Sequence, residues 1–184
     1  MECTDLPLVG MKLLCPVVHG DERGFFLETY NERDYARHGI DVRFVQDNHS
    51  RSRRGVVRGL HFQTLPGQAK LVRVASGRIF DVAVDVRPDS PTFGHWHGVE
   101  LGAERHEQLF LPVGFAHGFA VLSEWADVIY KVSSFYDPAT EAAIRFDDAT
   151  LDVRWPVSSP IVSARDASAP TWNEVRGQLE RTQT

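Results

Sequence analysis

The chain predicts an all-β protein of the sandwich or barrel type, and three observations carry that prediction. From residue 70 onward, β-branched and aromatic runs recur about every ten residues, with turn residues between them. Helical periodicity is scarce. At 184 residues the chain is long enough to bury a core as one domain, residues 1–184, with no repeat, low-complexity tract or linker to divide it.

The elements follow in order. Residues 8–18 are apolar enough for a strand, broken at Pro16, and His19 to Gly24 is turn chemistry ahead of a strand at 25–30. Asn31 can cap a short helix over 32–38, which Gly39 ends in the left-handed conformation glycine tolerates. A strand at 42–49 closes on Gln46-Asp47-Asn48-His49, and Arg51 to Gly55 reads as a basic turn. Strands are expected at 56–63, 70–75, 78–86, 92–101, 107–111, 116–122 and 126–135, separated by turns such as Ser76-Gly77 and Pro88-Asp89-Ser90-Pro91. After Asp137-Pro138 the chain turns irregular until Thr171 caps a final helix that begins at Trp172.

Composition narrows the function classes. A net charge of -5 removes the footprint of a general nucleic-acid binder, so any polyanion must be met locally. No apolar run approaches membrane-spanning length, and Glu2 and Asp5 interrupt the start where a signal peptide would be basic and then apolar. Cys3 and Cys15 are close in sequence, a bridge between them would staple little, and two reduced thiols fit a cytoplasmic protein.

The strand at 56–63, Val-Val-Arg-Gly-Leu-His-Phe-Gln, organises the rest. Alternation places Arg58, Leu60 and Phe62 on one face and Val57, Gly59, His61 and Gln63 on the other, with the glycine leaving space beside the imidazole. Lys70 follows one strand later. The chain has only three lysines, Lys12, Lys70 and Lys131, against seventeen arginines, so a lysine in a mid-chain strand is a less generic choice. An imidazole removes a proton from carbon when that carbon lies beside a carbonyl and the enolate is stabilised as it forms. His61 is the candidate base and Lys70 the candidate cation. Tyr130 is a phenol on a strand that can face the cavity and return the proton, or simply a core aromatic, and Asp166 can orient His61.

Leu111-Pro-Val-Gly-Phe-Ala-His117-Gly-Phe119 sends a histidine into a barrel behind Pro and Gly, and resembles the second motif of the cupin superfamily. Val121 and His106 depart from the metal-binding version. His95, His97 and Glu100 are metal-type ligands, but their spacing is short for a cupin and Pro91-Thr-Phe-Gly94 looks like a turn onto an outer strand, so surface histidines and no metal are expected.

Six stretches together resemble the dTDP-4-dehydrorhamnose 3,5-epimerase family: Gly20-Asp-Glu-Arg-Gly-Phe-Phe26, Phe44-Val-Gln-Asp-Asn-His-Ser50, Arg58-Gly-Leu-His-Phe-Gln63, Phe80-Asp-Val-Ala-Val-Asp85, Ser90-Pro-Thr-Phe-Gly94 and Gly114-Phe-Ala-His-Gly-Phe119. The resemblance runs from about Leu8 to Trp172. It implies a cupin jelly-roll with a few short flanking helices, a homodimer, and epimerisation of dTDP-4-dehydro-6-deoxy-D-glucose without a cofactor. By matching position, His61 would remove the protons at C3 and C5, Asp166 would be its dyad partner, Lys70 would stabilise the enolate, and Tyr130 would reprotonate from the opposite face. Arg23, Arg58 and Arg165 would hold the diphosphate, and Gln46, Asp47, Asn48 and His117 would line the site. Glu28 and Glu141 would complete its polar contacts and Tyr136 would stack on thymine. Arg165 stands where a lysine is common, which keeps the charge and adds bidentate geometry. Residues of the N-terminal strands would come from the partner subunit.

Three other readings compete. A monofunctional 3- or 5-epimerase shares the fold and the dyad. A non-catalytic sugar-nucleotide binder has no reason to keep His61, Asp166, Lys70 and Tyr130 together, and a cupin oxygenase requires a transition metal.

Overall fold

In the computed structural model, which describes residues 1–181, two antiparallel sheets face each other, one helix near the start of the chain and one near its end packing on their outer surfaces. The elements are β1 (Glu2–Asp5), β2 (Lys12–Cys15), β3 (Val18–Asp21), β4 (Gly24–Leu27), α1 (Glu32–Arg37), β5 (Gln46–Arg53), β6 (Val57–Gln63), β7 (Lys70–Ser76), β8 (Arg78–Asp85), β9 (Trp96–Gly102), β10 (Gln108–Leu111), β11 (Phe115–Val121), β12 (Trp125–Val132), β13 (Glu141–Ala143), α2 (Ala164–Ala167) and α3 (Trp172–Arg181). One sheet runs β1-β2-β10-β7-β12-β5 and the other β13-β6-β11-β8-β9, while β3 and β4 form a separate hairpin. The expected all-β class with short flanking helices is what the chain forms.

Side-chain alternation builds the layers. Phe115, Phe119 and Val121 of β11 point between the sheets, where they meet Ile79 and Ala83 of β8 and Val72, Val74, Leu109, Leu111 and Val128 of the facing sheet. Ala116, Val82 and Val84 point the other way and pack with Leu60, Phe62, Ile144 and Trp172 beneath the C-terminal segment. On the outer face of the six-stranded sheet, Tyr35 of α1 packs with Leu14, Ile40, Leu71 and Phe110. Asn31 caps α1 by accepting from the Arg33 N–H at 3.1 Å, and Gly39 follows at φ 78°, as expected.

Several boundaries differ from expectation. The run at 8–18 yields only β2 and part of β3, and the expected turn at 19–24 is mostly hairpin, with Glu22-Arg23 as the turn itself. The strand expected at 42–49 begins at Gln46 and continues through Arg53, so Arg51 and Arg53 belong to strand β5, not to a basic turn. Residues 92–94 are turn, and β9 begins at Trp96 as the outer strand of its sheet. β1, β13 and α2 are additions that no periodic pattern announces. Among the described residues no helix is long and apolar enough to cross a membrane.

Candidate active site

β6 contains one residue more than its neighbour can match. His61 pairs with His117 and Arg58 with Phe119, so three steps on β6 face two on β11. This bulge rotates the strand and puts Arg58 on the same side as His61, which corrects the simple alternation that grouped Arg58 with Leu60 and Phe62. Gly59, at φ 116°, is where the chain turns. The glycine does not open a space: a Cβ there would lie 2.5 Å from Gly118 Cα and 2.7 Å from the His117 carbonyl oxygen. The two glycines let β6 and β11 approach closely beside both histidines.

The resulting cleft, about 340 Å³, lies between the sheets. Arg58 and His61 of β6, His117 of β11 and Glu141 of β13 enter from the five-stranded sheet. Gln46 and Asn48 of β5, Lys70 of β7 and Tyr130 of β12 enter from the other, with Tyr136 at the side. Register explains the second set: Tyr130 sits opposite Asn48, while Val132 lies opposite both Gln46 and Lys70.

His61 Nε2 donates to Asp166 Oδ1 at 2.7 Å, leaving Nδ1 as the basic nitrogen. Asp166 is buried and is presented by α2, whose Ser163 cap accepts from the Asp166 N–H at 3.1 Å. Burial depresses the His61 pKa below the ordinary 6.5, outweighing the hydrogen bond and charge of Asp166, which push upward. The imidazole is therefore neutral at neutral pH, the state a base requires. Lys70 is also buried and donates to the His61 carbonyl oxygen at 3.1 Å. Burial brings its pKa down to about 8, with the charges of Asp81 and Glu141 opposing. Burial raises the Tyr130 pKa, so this phenol keeps its proton.

The polar rim is bonded within itself. Glu141 Oε2 accepts from the Tyr136 hydroxyl at 2.8 Å and from Arg165 Nη2 at 2.5 Å, and these bonds outweigh burial to hold its carboxyl below the usual range. Gln46 Nε2 donates to Asn48 Oδ1 at 2.8 Å, and Arg58 Nε donates to Ser52 at 2.9 Å.

Three expected residues stand away from this cleft. Asp47 points to the opposite face of β5 because Gln46 and Asn48 point inward, and it pairs with Lys131 at 3.0 Å. Arg23 lies at the tip of the β3–β4 hairpin, paired with Asp21, and Glu28 follows that hairpin outside the cleft. Among the described residues no group of three or more His, Cys, Asp or Glu side chains is placed to hold a metal ion. Sequence reasoning missed Asp81, whose two oxygens each lie 2.9 Å from His117 Nε2. It also missed Ser50, Gln63 and Gln68 in the lining. The signal for Asp81 was a carboxylate in the inward row of β8, between Ile79 and Ala83.

A neutral base on one sheet and a protonated phenol on the other can work on one carbon from two sides, which makes the class an acid–base isomerase on a jelly-roll sandwich. The comparisons narrow it. The family model for dTDP-4-dehydrorhamnose 3,5-epimerase matches residues 5–174. The chain is 53% identical over 161 residues to dTDP-4-dehydrorhamnose 3,5-epimerase of Salmonella typhimurium, covering 86% of this chain and 88% of that one. It superposes at a TM-score of 0.93 and 45% identity on dTDP-6-deoxy-D-glucose-3,5-epimerase of Legionella pneumophila in complex with dTDP-4-keto-L-rhamnose, covering 97% and 96% of the two chains. ChmJ, a 3'-monoepimerase from Streptomyces bikiniensis in complex with dTDP-quinovose, matches at 0.87 and 36%, covering 97% and 89%. The chain belongs to the dTDP-4-dehydrorhamnose 3,5-epimerase family.

Proposed function

We propose that this chain converts dTDP-4-dehydro-6-deoxy-D-glucose to dTDP-4-dehydro-L-rhamnose by inverting C3 and C5, each α to the C4 ketone. His61 takes the proton through Nδ1 while Asp166 stabilises the imidazolium, Lys70 donates to the enolate oxygen, and Tyr130 delivers a proton to the other face. The observation that carries this reading is the placement of His61 on one sheet, 2.7 Å from Asp166 of α2, with Tyr130 and Lys70 on the other sheet. No redox step is required, because the ketone itself acidifies both carbons.

In this reading Arg58 meets the nucleotide diphosphate in a protein of net charge -5, Gln46 and Asn48 line the substrate site, Tyr136 is the stacking surface for thymine, and Arg165, assigned to the diphosphate with Arg58, is paired with Glu141. Elements from Gln46 to Asp166 build one cleft, which supports reading the chain as one domain. The hairpin carries Arg23 away from its own cleft and leaves Phe25 and Phe26 62% and 72% exposed. That arrangement supports a homodimer in which Arg23 and Glu28 serve the partner's site.

The test is incubation with the 4-dehydro sugar in deuterated water, with mass spectrometry and proton NMR locating the label and a 4-ketoreductase trapping the product. Label at C3 and C5 with an L-configured trapped sugar is the expected result. The likeness to a 3'-monoepimerase favours a second reading, and label at C3 alone would move the assignment there.

A further inference from the structure

We infer that Asp81 is a positioning residue of the cleft: it holds His117 with Nε2 protonated and supplies the counter-charge that keeps the Lys70 ammonium charged, so the enolate-binding end is built before substrate arrives. This rests on the enolisation chemistry proposed above and adds to it a residue that touches no substrate.

Asp81 is fully buried on β8, in a row otherwise apolar from Ile79 to Ala83. A carboxylate there is costly unless it is paired. Both its oxygens face His117 Nε2 at 2.9 Å, and because a carboxylate can only accept, the ring hydrogen sits on Nε2. His117 therefore meets the cleft with one defined ring orientation.

Lys70 enters the same cleft from the opposite sheet with 6% of its surface exposed, too little for water to solvate an ammonium. The titratable groups facing it are Asp81 of β8, Glu141 of β13, His61 of β6 with Asp166 behind it, His117 of β11 and Tyr130 of β12. Asp166 is engaged by His61, and Glu141 by Tyr136 and Arg165. Asp81 is engaged in its turn by His117, and its charge is the larger of the two carboxylate effects that raise the Lys70 pKa, ahead of that of Glu141. Pairing with His117 fixes the carboxylate where it serves both neighbours.

A merely structural Asp81 would affect folding and leave the lysine's titration alone, and the chain is suited to telling these apart. It has three lysines, Lys12, Lys70 and Lys131, so carbon-13 labelling at lysine Cε gives three NMR signals, with Lys70→Arg identifying one by its loss. In the unsubstituted protein the Lys70 signal should titrate near pH 8. In Asp81→Asn its midpoint should fall by about one pH unit or more, the alkaline limb of kcat/KM should move with it, and Asp81→Glu should restore most of the shift. An Asp81→Asn midpoint equal to that of the unsubstituted protein overturns the inference. Should Asp81→Asn fail to fold, nitrogen-15 histidine NMR of the unsubstituted protein decides: His117 as the Nε2–H tautomer supports the inference and Nδ1–H overturns it. A moved midpoint in a protein that incorporates no solvent deuterium would leave the pairing intact and sink the epimerase reading instead.

Discussion

The space between the sheets has two halves made by the same strands. In one, Phe115, Val121, Ile79, Val72 and Val128 are packed against one another with no polar partner to satisfy. In the other, Lys70 and Tyr130 project from β7 and β12 one inward position beyond Val72 and Val128, and His117 stands on β11 between Phe115 and Phe119. The difference lies in how each half is held. Apolar contacts are non-directional and tolerate shape changes at modest cost. The polar half depends on specific pairs, His61 with Asp166, His117 with Asp81, and Lys70 with the His61 carbonyl oxygen. Breaking one of these leaves a buried group unpaired. Both halves are therefore expected to carry stability, and the polar half rate as well.

The largest effect should come from the polar half. His61→Ala should lower kcat by about 10²–10⁴-fold, read as deuterium incorporation, while calorimetric dTDP binding stays near the parent's. Loss of binding together with exchange would make His61 structural and erase the contrast. The apolar half should answer in the opposite way. Phe115→Ala should cost about 3–5 kcal/mol of stability in a denaturant titration, with kcat per folded molecule much less affected.

A third prediction sharpens the contrast through pH. His61 must be neutral, and since its pKa is depressed, kcat/KM should hold below pH 6.5 and fall only as the pH drops through that lowered value. Lys70 must be charged, so kcat/KM should fall as pH rises through about 8. A profile flat from pH 7 to 10 would contradict the role of Lys70, and one that does not fall at any acid pH where the protein stays folded would contradict that of His61. The smallest effect is expected from Ser163→Ala, which removes the cap that presents Asp166. It should cost about 1 kcal/mol of stability and lower kcat by less than tenfold, because the His61–Asp166 bond itself remains.

Much of the site was legible residue by residue. His61, Lys70 and Tyr130 are residue types suited to proton transfer and to enolate stabilisation, His117 stands in a motif shaped by Pro and Gly, Glu141 followed from the family resemblance, and the cleft brings them together. What was illegible has physical reasons. Strict alternation put Arg58 on the wrong face because a bulge depends on the register of the neighbouring strand, here β11. The strands β1 and β13 span four and three residues, too short for a period-two pattern to show. Asp47 belongs to a motif with Gln46 and Asn48, yet alternation alone excludes it from their side of β5.

The sequence by itself determined that this chain would be built from strands, where most of them would turn, and which side chains could exchange protons with a carbon acid. Those are local properties, set by β-branched and aromatic runs, turn residues and functional-group chemistry. Only the tertiary structure decided the partners. His61 finds Asp166 105 residues away and His117 finds Asp81 36 residues away. Contacts at that separation depend on which strands pair and which sheets face, and so does the burial that turns an ordinary imidazole into a neutral base and an ordinary lysine into one that titrates near pH 8.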